Sequence, residues 1–371
     1  MENNHLTYFK IENFKKFDSL EVNDIGQFNL IVGDNNVGKT CLLEALLVDE
    51  DAGQLLDNFY IALTKRGLKF QIEKLTSEVN GISTTKTIYP KENYFKKYIF
   101  KKYYNDESKL SIIYKNKKKE QLEILLSVPQ KIQFEIQEES DLDRHFKSEG
   151  IKIEDFEKEY FQMYFNGRPV KQLSVYSYNE NILNFPLISF NDTPLDEESR
   201  NIYENLKTKR EKQILIDVLK VVNSKIVDIE LRENFEDLKS VFLISFEDTD
   251  EFVPLNFLGD GFKRIFYIVL KALSLKGKRI LIDEIEIGIH YSKMKDFWVN
   301  IMKVCKELDV QLFATTHSSE CIEDYVKAAK EVSEKDIRLI RLQENKDKSI
   351  KAITFPFNEF EDVEESNVEN R

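Results

Sequence analysis

Phe28–Thr40 reads FNLIVGDNNVGKT, and this stretch decides the fold. Phe28–Val32 is a largely apolar run, the pattern of a strand buried on both faces. Gly33-Asp34-Asn35-Asn36-Val37-Gly38-Lys39-Thr40 satisfies GxxxxGK[ST] at every fixed position. Apolar residues then recur at helical spacing over Lys39–Val48. Strand, glycine-bearing loop and helix in that order form the setting in which this motif wraps phosphate.

The residue types follow from that chemistry. Gly33 and Gly38 let the backbone curl until its N–H groups face an anion. A helix beginning near Gly38 adds the partial positive charge of its N-terminus. Lys39 sets an ammonium against β/γ-phosphates, and the Thr40 hydroxyl suits Mg²⁺. The candidate nucleotide-binding set is therefore Gly33, Asp34, Asn35, Asn36, Val37, Gly38, Lys39 and Thr40, with Cys41 at the next position. Glycine is scarce here, 12 in 371 residues, so its placement carries information.

Three further segments stand downstream. Ile280-Leu281-Ile282-Asp283-Glu284 is an apolar strand ending in two carboxylates. Asp283 suits Mg²⁺, and Glu284 is placed to take a proton from an attacking water. Thr315-Thr316-His317-Ser318 ends the predicted strand Val310–Thr315, and a His there can reach a γ-phosphate. Leu258-Gly259-Asp260-Gly261-Phe262-Lys263-Arg264 opens a predicted helix over Gly261–Leu275, with Asp260 as the expected N-cap and bare glycine N–H groups offered to an anion.

Composition bounds the rest. With 54 Lys+Arg and 66 Asp+Glu the formal charge is −12, which argues against a chain coated in basic charge for nucleic acid. At 42% hydrophobic there is material for a real core. Cys41, Cys305 and Cys321 fit neither a disulfide framework nor a zinc pattern and read as thiols in a reducing compartment. His5, His145, His290 and His317 make no metal signature. A polar N-terminus without a signal-peptide core, and no apolar run long enough to span a bilayer, predict a soluble cytoplasmic protein without a membrane partner.

Along the chain, Leu6–Ile11 and Leu20–Val22 alternate as two strands joined by a turn near Lys15–Ser19. From 51 to 170 the pattern dissolves into mixed Lys, Tyr, Phe, Asn and Glu. Within it, residues 91–119 hold ten lysines against Glu92, Asp106 and Glu107, with six aromatic rings interleaved over 94–104. Lysines can track phosphates and rings can stack on bases, so this stretch is the candidate nucleic-acid contact. Pattern returns at Lys171–Ser177 and Leu187–Phe190. Helices are predicted at Glu197–Lys209, Glu211–Val222 and Tyr291–Leu308, and strands at Ile226–Leu231 and Val241–Phe246. EDTDE (247–251) reads as a hairpin turn rather than a nuclease site. The expected architecture is α/β: a P-loop NTPase with a mixed sheet flanked by helices. The head would be split over 1–50 and 171–345, with an α+β subdomain inserted at 51–170. A C-terminal strand and acidic tail would occupy 346–371.

In this order and spacing the four motifs resemble the ATP-binding-cassette ATPase heads, above all stand-alone ATPases related to the OLD family and the RecF and SMC heads. IENFKKF before FNLIVGDNNVGKT looks like the start of such heads. LIDEIEIGIHYS and ATTHSSECI look like prokaryotic AAA-family ATP-binding proteins of antiphage systems. The resemblance covers 1–50 and about 171–325.

It implies that two heads sandwich ATP with Mg²⁺. Gly259, Gly261 and their helix start would contact the γ-phosphate held by the Lys39 and Thr40 of a second copy. Glu284 would polarise water, His317 would sense the γ-phosphate, and Glu286, Gly288 and His290 would line the seam. Where cassette signatures usually have Ser this chain has Gly259, which leaves Lys263 or Arg264 to compensate. The insertion lacks the long coiled coil of SMC proteins, and the stretch after His317 is expected to be too short for the Toprim nuclease domain of full OLD proteins. The implied function is an ATPase that forms a homodimer or higher homo-oligomer through its heads and controls a separate effector, a nuclease or toxin, in antiphage defence. The alternative is a RecF-like or SMC-like DNA-binding ATPase of repair or recombination.

Overall fold

The computed structural model describes residues 4–49, 52–67, 73–79, 82–88, 98–102, 109–118, 120–127, 160–169, 173–174, 185–189, 192, 197–235 and 238–359. At its centre runs a sheet built around β3 (Phe28–Gly33). The order is β11 (Leu187–Ile188), β15 (Arg279–Ile282), β16 (Gln311–Thr315), β3, β17 (Ile337–Glu344), β18 (Ile350–Pro356). All neighbours are parallel except the last pair, so the sheet is mixed.

Strand alternation divides the core in two. Phe28, Leu30, Ile280, Ile282, Leu312, Ala314, Ile337 and Leu339 point into one apolar cluster; Ile31, Leu281, Phe313, Ile340 and Leu342 point into the other. A period of two with both faces buried is what an apolar parallel strand requires. The first cluster is covered by helices α3 (Glu197–Glu204), α4 (Lys209–Leu219), α5 (Asp260–Ser274), α6 (Tyr291–Glu307) and α7 (Ser319–Glu331). Trp298 of α6 packs edge-on against Tyr325 of α7 with ring centroids 4.8 Å apart.

The second cluster is covered by α1 (Lys39–Ala45), α2 (Ala52–Lys65) and an antiparallel sheet. That sheet contains β1 (Leu6–Phe14), β2 (Phe17–Val22), β6 (Lys109–Asn116), β7 (Gln121–Ser127), β8 (Tyr160–Phe165), β9 (Arg168–Pro169) and β10 (Leu173–Ser174). β6 pairs directly with β1 (Phe9 opposite Tyr114), so strands from both sides of residue 50 share one sheet. Among the described residues there are two smaller antiparallel sheets: β4 (Glu73–Val79) with β5 (Ile82–Ile88), and β12 (Ile226–Phe235), β13 (Leu238–Phe246), β14 (Val253–Pro254).

Several boundaries differ from the sequence expectation. The helix expected over Lys39–Val48 stops at Ala45. The helix expected over Glu197–Lys209 ends at Glu204, because Thr208 adopts an extended conformation and caps α4 with Glu211 in a reciprocal capping box. Gly259, not Asp260, is the N-cap of α5; Asp260 already lies in the helix. Helix α7 and strand β17 lie outside the sequence expectation: their apolar residues are interleaved with charged ones. EDTDE does turn the chain from β13 into its antiparallel partner β14. Within Lys171–Ser177, where pattern returns, Leu173–Ser174 forms strand, and the remainder, with most of the acidic tail, lies outside the described residues.

Candidate active site

The loop between β3 and α1 owes its path to two glycines. Gly33 (φ +142°) passes so close to β17 that a Cβ would stand 2.4 Å from the Leu342 carbonyl. Gly38 (φ +115°) caps α1, and a Cβ there would meet the Phe17 ring at 3.1 Å. No L side chain adopts these conformations freely. Asp34, Asn35 and Asn36 are exposed, while Val37 is buried. Cys41 is half-buried against the second core, and burial pushes its thiol pKa up.

Lys39 is only 6% exposed. Its Nζ donates to the Gly33 carbonyl at 2.6 Å, to the Asp34 carbonyl at 3.0 Å, and to His317 Nδ1 at 3.4 Å. Burial draws its pKa below the usual lysine value, against the opposing pull of Asp34, Asp283, Glu284 and Glu286.

The Thr40 hydroxyl meets Asp283 at 3.0 Å (Oδ2) and 3.2 Å (Oδ1). Thr315 Oγ1 donates to Asp283 Oδ1 at 2.7 Å and accepts the Glu284 N–H at 2.8 Å. Glu284 is left-handed at φ +50°, a conformation costing a non-glycine residue on the order of 1 kcal/mol or more. The other ring nitrogen of His317, Nε2, faces Glu284 Oε1 at 3.8 Å. Loop, acidic strand end and β16 terminus thus bring Lys39, Thr40, Asp283, Glu284 and His317 into one place.

Gly259 and Gly261 differ. Gly259 is exposed, with nothing within 4 Å of a Cβ built on it. At Gly261 a Cβ would stand 1.9 Å from the Gly288 carbonyl, so its smallness serves this chain's own packing. Lys263 pairs with Asp260 at 2.6 Å. Arg264, a candidate to supply the missing signature hydroxyl contact, is instead turned inward and 4% exposed, which removes it from that surface. Glu286 Oε1 accepts the His317 N–H at 2.9 Å, and His290 caps α6 through Ser292.

One contact escaped the sequence reading. Lys16, in the β1–β2 turn, donates to the Asn36 side chain at 2.8 Å and to the Asn36 carbonyl, fastening that turn onto the phosphate loop. The paired lysines of NFKKF were the available signal. In the basic stretch, 91–97, 103–108 and Lys119 lie outside the described residues. Lys101 and Lys102 pair with Asp18, Lys117 pairs with Asp336, and Lys115 lies over the Tyr8 ring. Part of the charge on the described lysines is therefore met within the chain, two of them by the single Asp18 carboxylate. No described helix is long and apolar enough to cross a membrane.

A phosphate loop facing a strand-end Asp-Glu pair, on this sheet order, defines a P-loop ATPase with an SMC-head-like fold. Two SMC head structures match it at 11% identity. The first is an SMC head bound to the C-terminal winged-helix domain of ScpA, with TM-score 0.55, covering 96% of this chain and 99% of that one. The second is an SMC head with an extended coiled coil bound to the C-terminal domain of ScpA, derived from Pyrococcus furiosus, with TM-score 0.52, covering 98% and 99%. At that identity the likeness shows the fold alone. A protein named ATP/GTP phosphatase from Helicobacter pylori (strain ATCC 700392 / 26695) is 25% identical over 352 residues, 85% of each chain. Residues 28–323 match the family model described as AAA domain, putative AbiEii toxin, Type IV TA system, and the chain belongs to that family.

Proposed function

We propose that the chain binds and hydrolyses ATP between two copies of its head and uses the closed and open states to control a separate effector, a nuclease or toxin, in antiphage defence. The observation that carries the reading is the convergence of Lys39, Thr40, Asp283, Glu284 and His317. Lys39 would balance charge on the β/γ-phosphates. Glu284 would accept the proton of the attacking water, and His317 would donate its Nε2–H to a γ-phosphate oxygen. The Thr40 hydroxyl and Asp283 carboxylate, adjoining hard oxygen donors, fit Mg²⁺. When bound, that ion would neutralise charge on the phosphate oxygens.

Open space at Gly259 supports a second copy reaching the α5 start, as the likeness to cassette heads implies. The family description, with its putative toxin, supports an effector. The chain's site residues would act in the cytoplasm on nucleotide supplied there.

The test is phosphate release and mass by light scattering, with and without ATP, for three proteins. Glu284→Gln is expected to bind ATP, turn over about 10²–10⁴-fold more slowly and accumulate as an ATP-dependent assembly. Lys39→Ala is expected to lose ATP affinity and stay unassembled. Normal turnover by Glu284→Gln removes Glu284 from the base role. For defence, phage should plate less efficiently on cells carrying the wild-type locus than on cells carrying Lys39→Ala; equal plating rejects it.

A further inference from the structure

The segment from Asp283 to Gly288 carries Glu284, and α5 grips it at two points. Gly261 lies against the Gly288 carbonyl, closely enough to exclude a Cβ. One turn on, Arg264 donates from its two terminal nitrogens to the Ser189 carbonyl at 2.7 Å and to the Asp283 carbonyl at 2.9 Å. The opposite side is pinned by β16. Thr315 Oγ1 accepts the Glu284 N–H, the Thr315 carbonyl accepts the Ile285 N–H at 3.0 Å, and Glu286 reaches the His317 N–H. The peptide between Asp283 and Glu284 is therefore clamped at both its polar atoms: the carbonyl by Arg264, the N–H by Thr315.

Arg264 is an expensive way to make such a clamp. It is 4% exposed, its Nε is buried without a hydrogen-bond partner among the described residues, and burial lowers its pKa although Asp192, Asp283 and Glu284 pull the other way. Burying a guanidinium carries a desolvation cost. The cost falls where a return is visible, since the residue after the clamped carbonyl is Glu284, held at φ +50°. Strained backbone persists only where its surroundings over-determine it.

We propose that Arg264 is a positioning residue for Glu284: locked on the Ser189 and Asp283 carbonyls, it holds the Asp283–Glu284 peptide in the turned conformation that aims the Glu284 carboxylate. This rests on the reading that Glu284 activates water. It also gives α5, whose exposed start carries Gly259, a direct link to the general base. Contacts made at that start would bear on how Glu284 is held.

The experiment is a double-mutant cycle on steady-state ATP hydrolysis with Arg264→Gln, Arg264→Lys and Glu284→Gln, with thermal melting and ATP binding measured on each. Arg264→Lys is the fold-preserving arm, because an ammonium keeps the charge but cannot span both carbonyls with the guanidinium's fork. In that variant kcat should fall about tenfold or more, with KM and ATP affinity within about twofold. In the Glu284→Gln background the same substitution should cost almost nothing further. Wild-type kcat in a folded Arg264→Lys protein overturns the proposal. So does a loss that tracks ATP affinity or melting temperature, or one that persists in full on top of Glu284→Gln. If Glu284→Gln alone turns over normally, it is the general-base reading that fails, a result distinguishable from all of these.

Discussion

Thr40 and Asp283 share a hydrogen bond of 3.0 Å although 243 residues separate them. Asp283 also accepts from Thr315 at 2.7 Å, so one carboxylate ties the phosphate-loop helix to two strands of the sheet. Asp283→Ala leaves both hydroxyls without this acceptor and should destabilise the protein by about 1–3 kcal/mol. Urea denaturation in EDTA checks this, because the hydrogen bonds need no metal and the loss should persist when metal is removed. The same variant should lose Mg²⁺-dependent phosphate release.

The two glycines at the α5 start should respond oppositely. Gly261→Ala drives a methyl into the Gly288 carbonyl and should cost about 1–3 kcal/mol. Gly259→Ser adds a hydroxyl where nothing stands within 4 Å and should leave the melting temperature unchanged. If a second copy docks there, Gly259→Ser will alter only turnover and ATP-dependent assembly. Melting curves beside light scattering separate the two effects.

Glu44 of α1 is 2% exposed and receives Lys15 at 2.7 Å and Arg66 at 2.5 Å. Arg66 is half-exposed, but the Lys15 side chain is 9% exposed and cannot easily re-solvate. Glu44→Gln should therefore cost about 3–5 kcal/mol in guanidinium unfolding. The sign with pH follows. Burial lowers the Lys15 pKa in the folded state, with Glu44 pulling it back. Between that lowered value and 10.5 the unfolded chain binds more protons, so this contribution to stability rises with pH. Removing Glu44 widens the window, and the variant should recover more stability than wild type as pH climbs toward 10.5.

Burial pushes the thiols of Cys305 and Cys321 up to about 12. The thiolate is the nucleophile, so at neutral pH neither should react with iodoacetamide in the native protein. Both should label once the chain is unfolded, and mass spectrometry of the labelled peptides reads this directly. Labelling of native Cys305 would place it outside the packed core.

The sequence alone carried the chemistry-bearing motifs. Phe28–Thr40 announces its loop because glycine, lysine and threonine at fixed spacing meet a local backbone demand. Ile280–Glu284 announces a strand end because its apolar run stops at two charges. These are local statements, and local pattern is legible. Helix α7 and strand β17 were not, because their burial comes from neighbours distant in the chain, such as Trp298 against Tyr325. Nor could spacing reveal the pairing of β6 with β1.

The direction of Arg264 was likewise decided by tertiary structure. Read in the chain, it is a charge at the start of a helix; in the fold it points inward, because the Ser189 and Asp283 carbonyls, each one residue past the end of β11 and β15, lie within reach of its guanidinium. The same distinction separates Gly259 from Gly261. Both are glycines near a helix start, but only packing against Gly288 shows which one the fold itself requires.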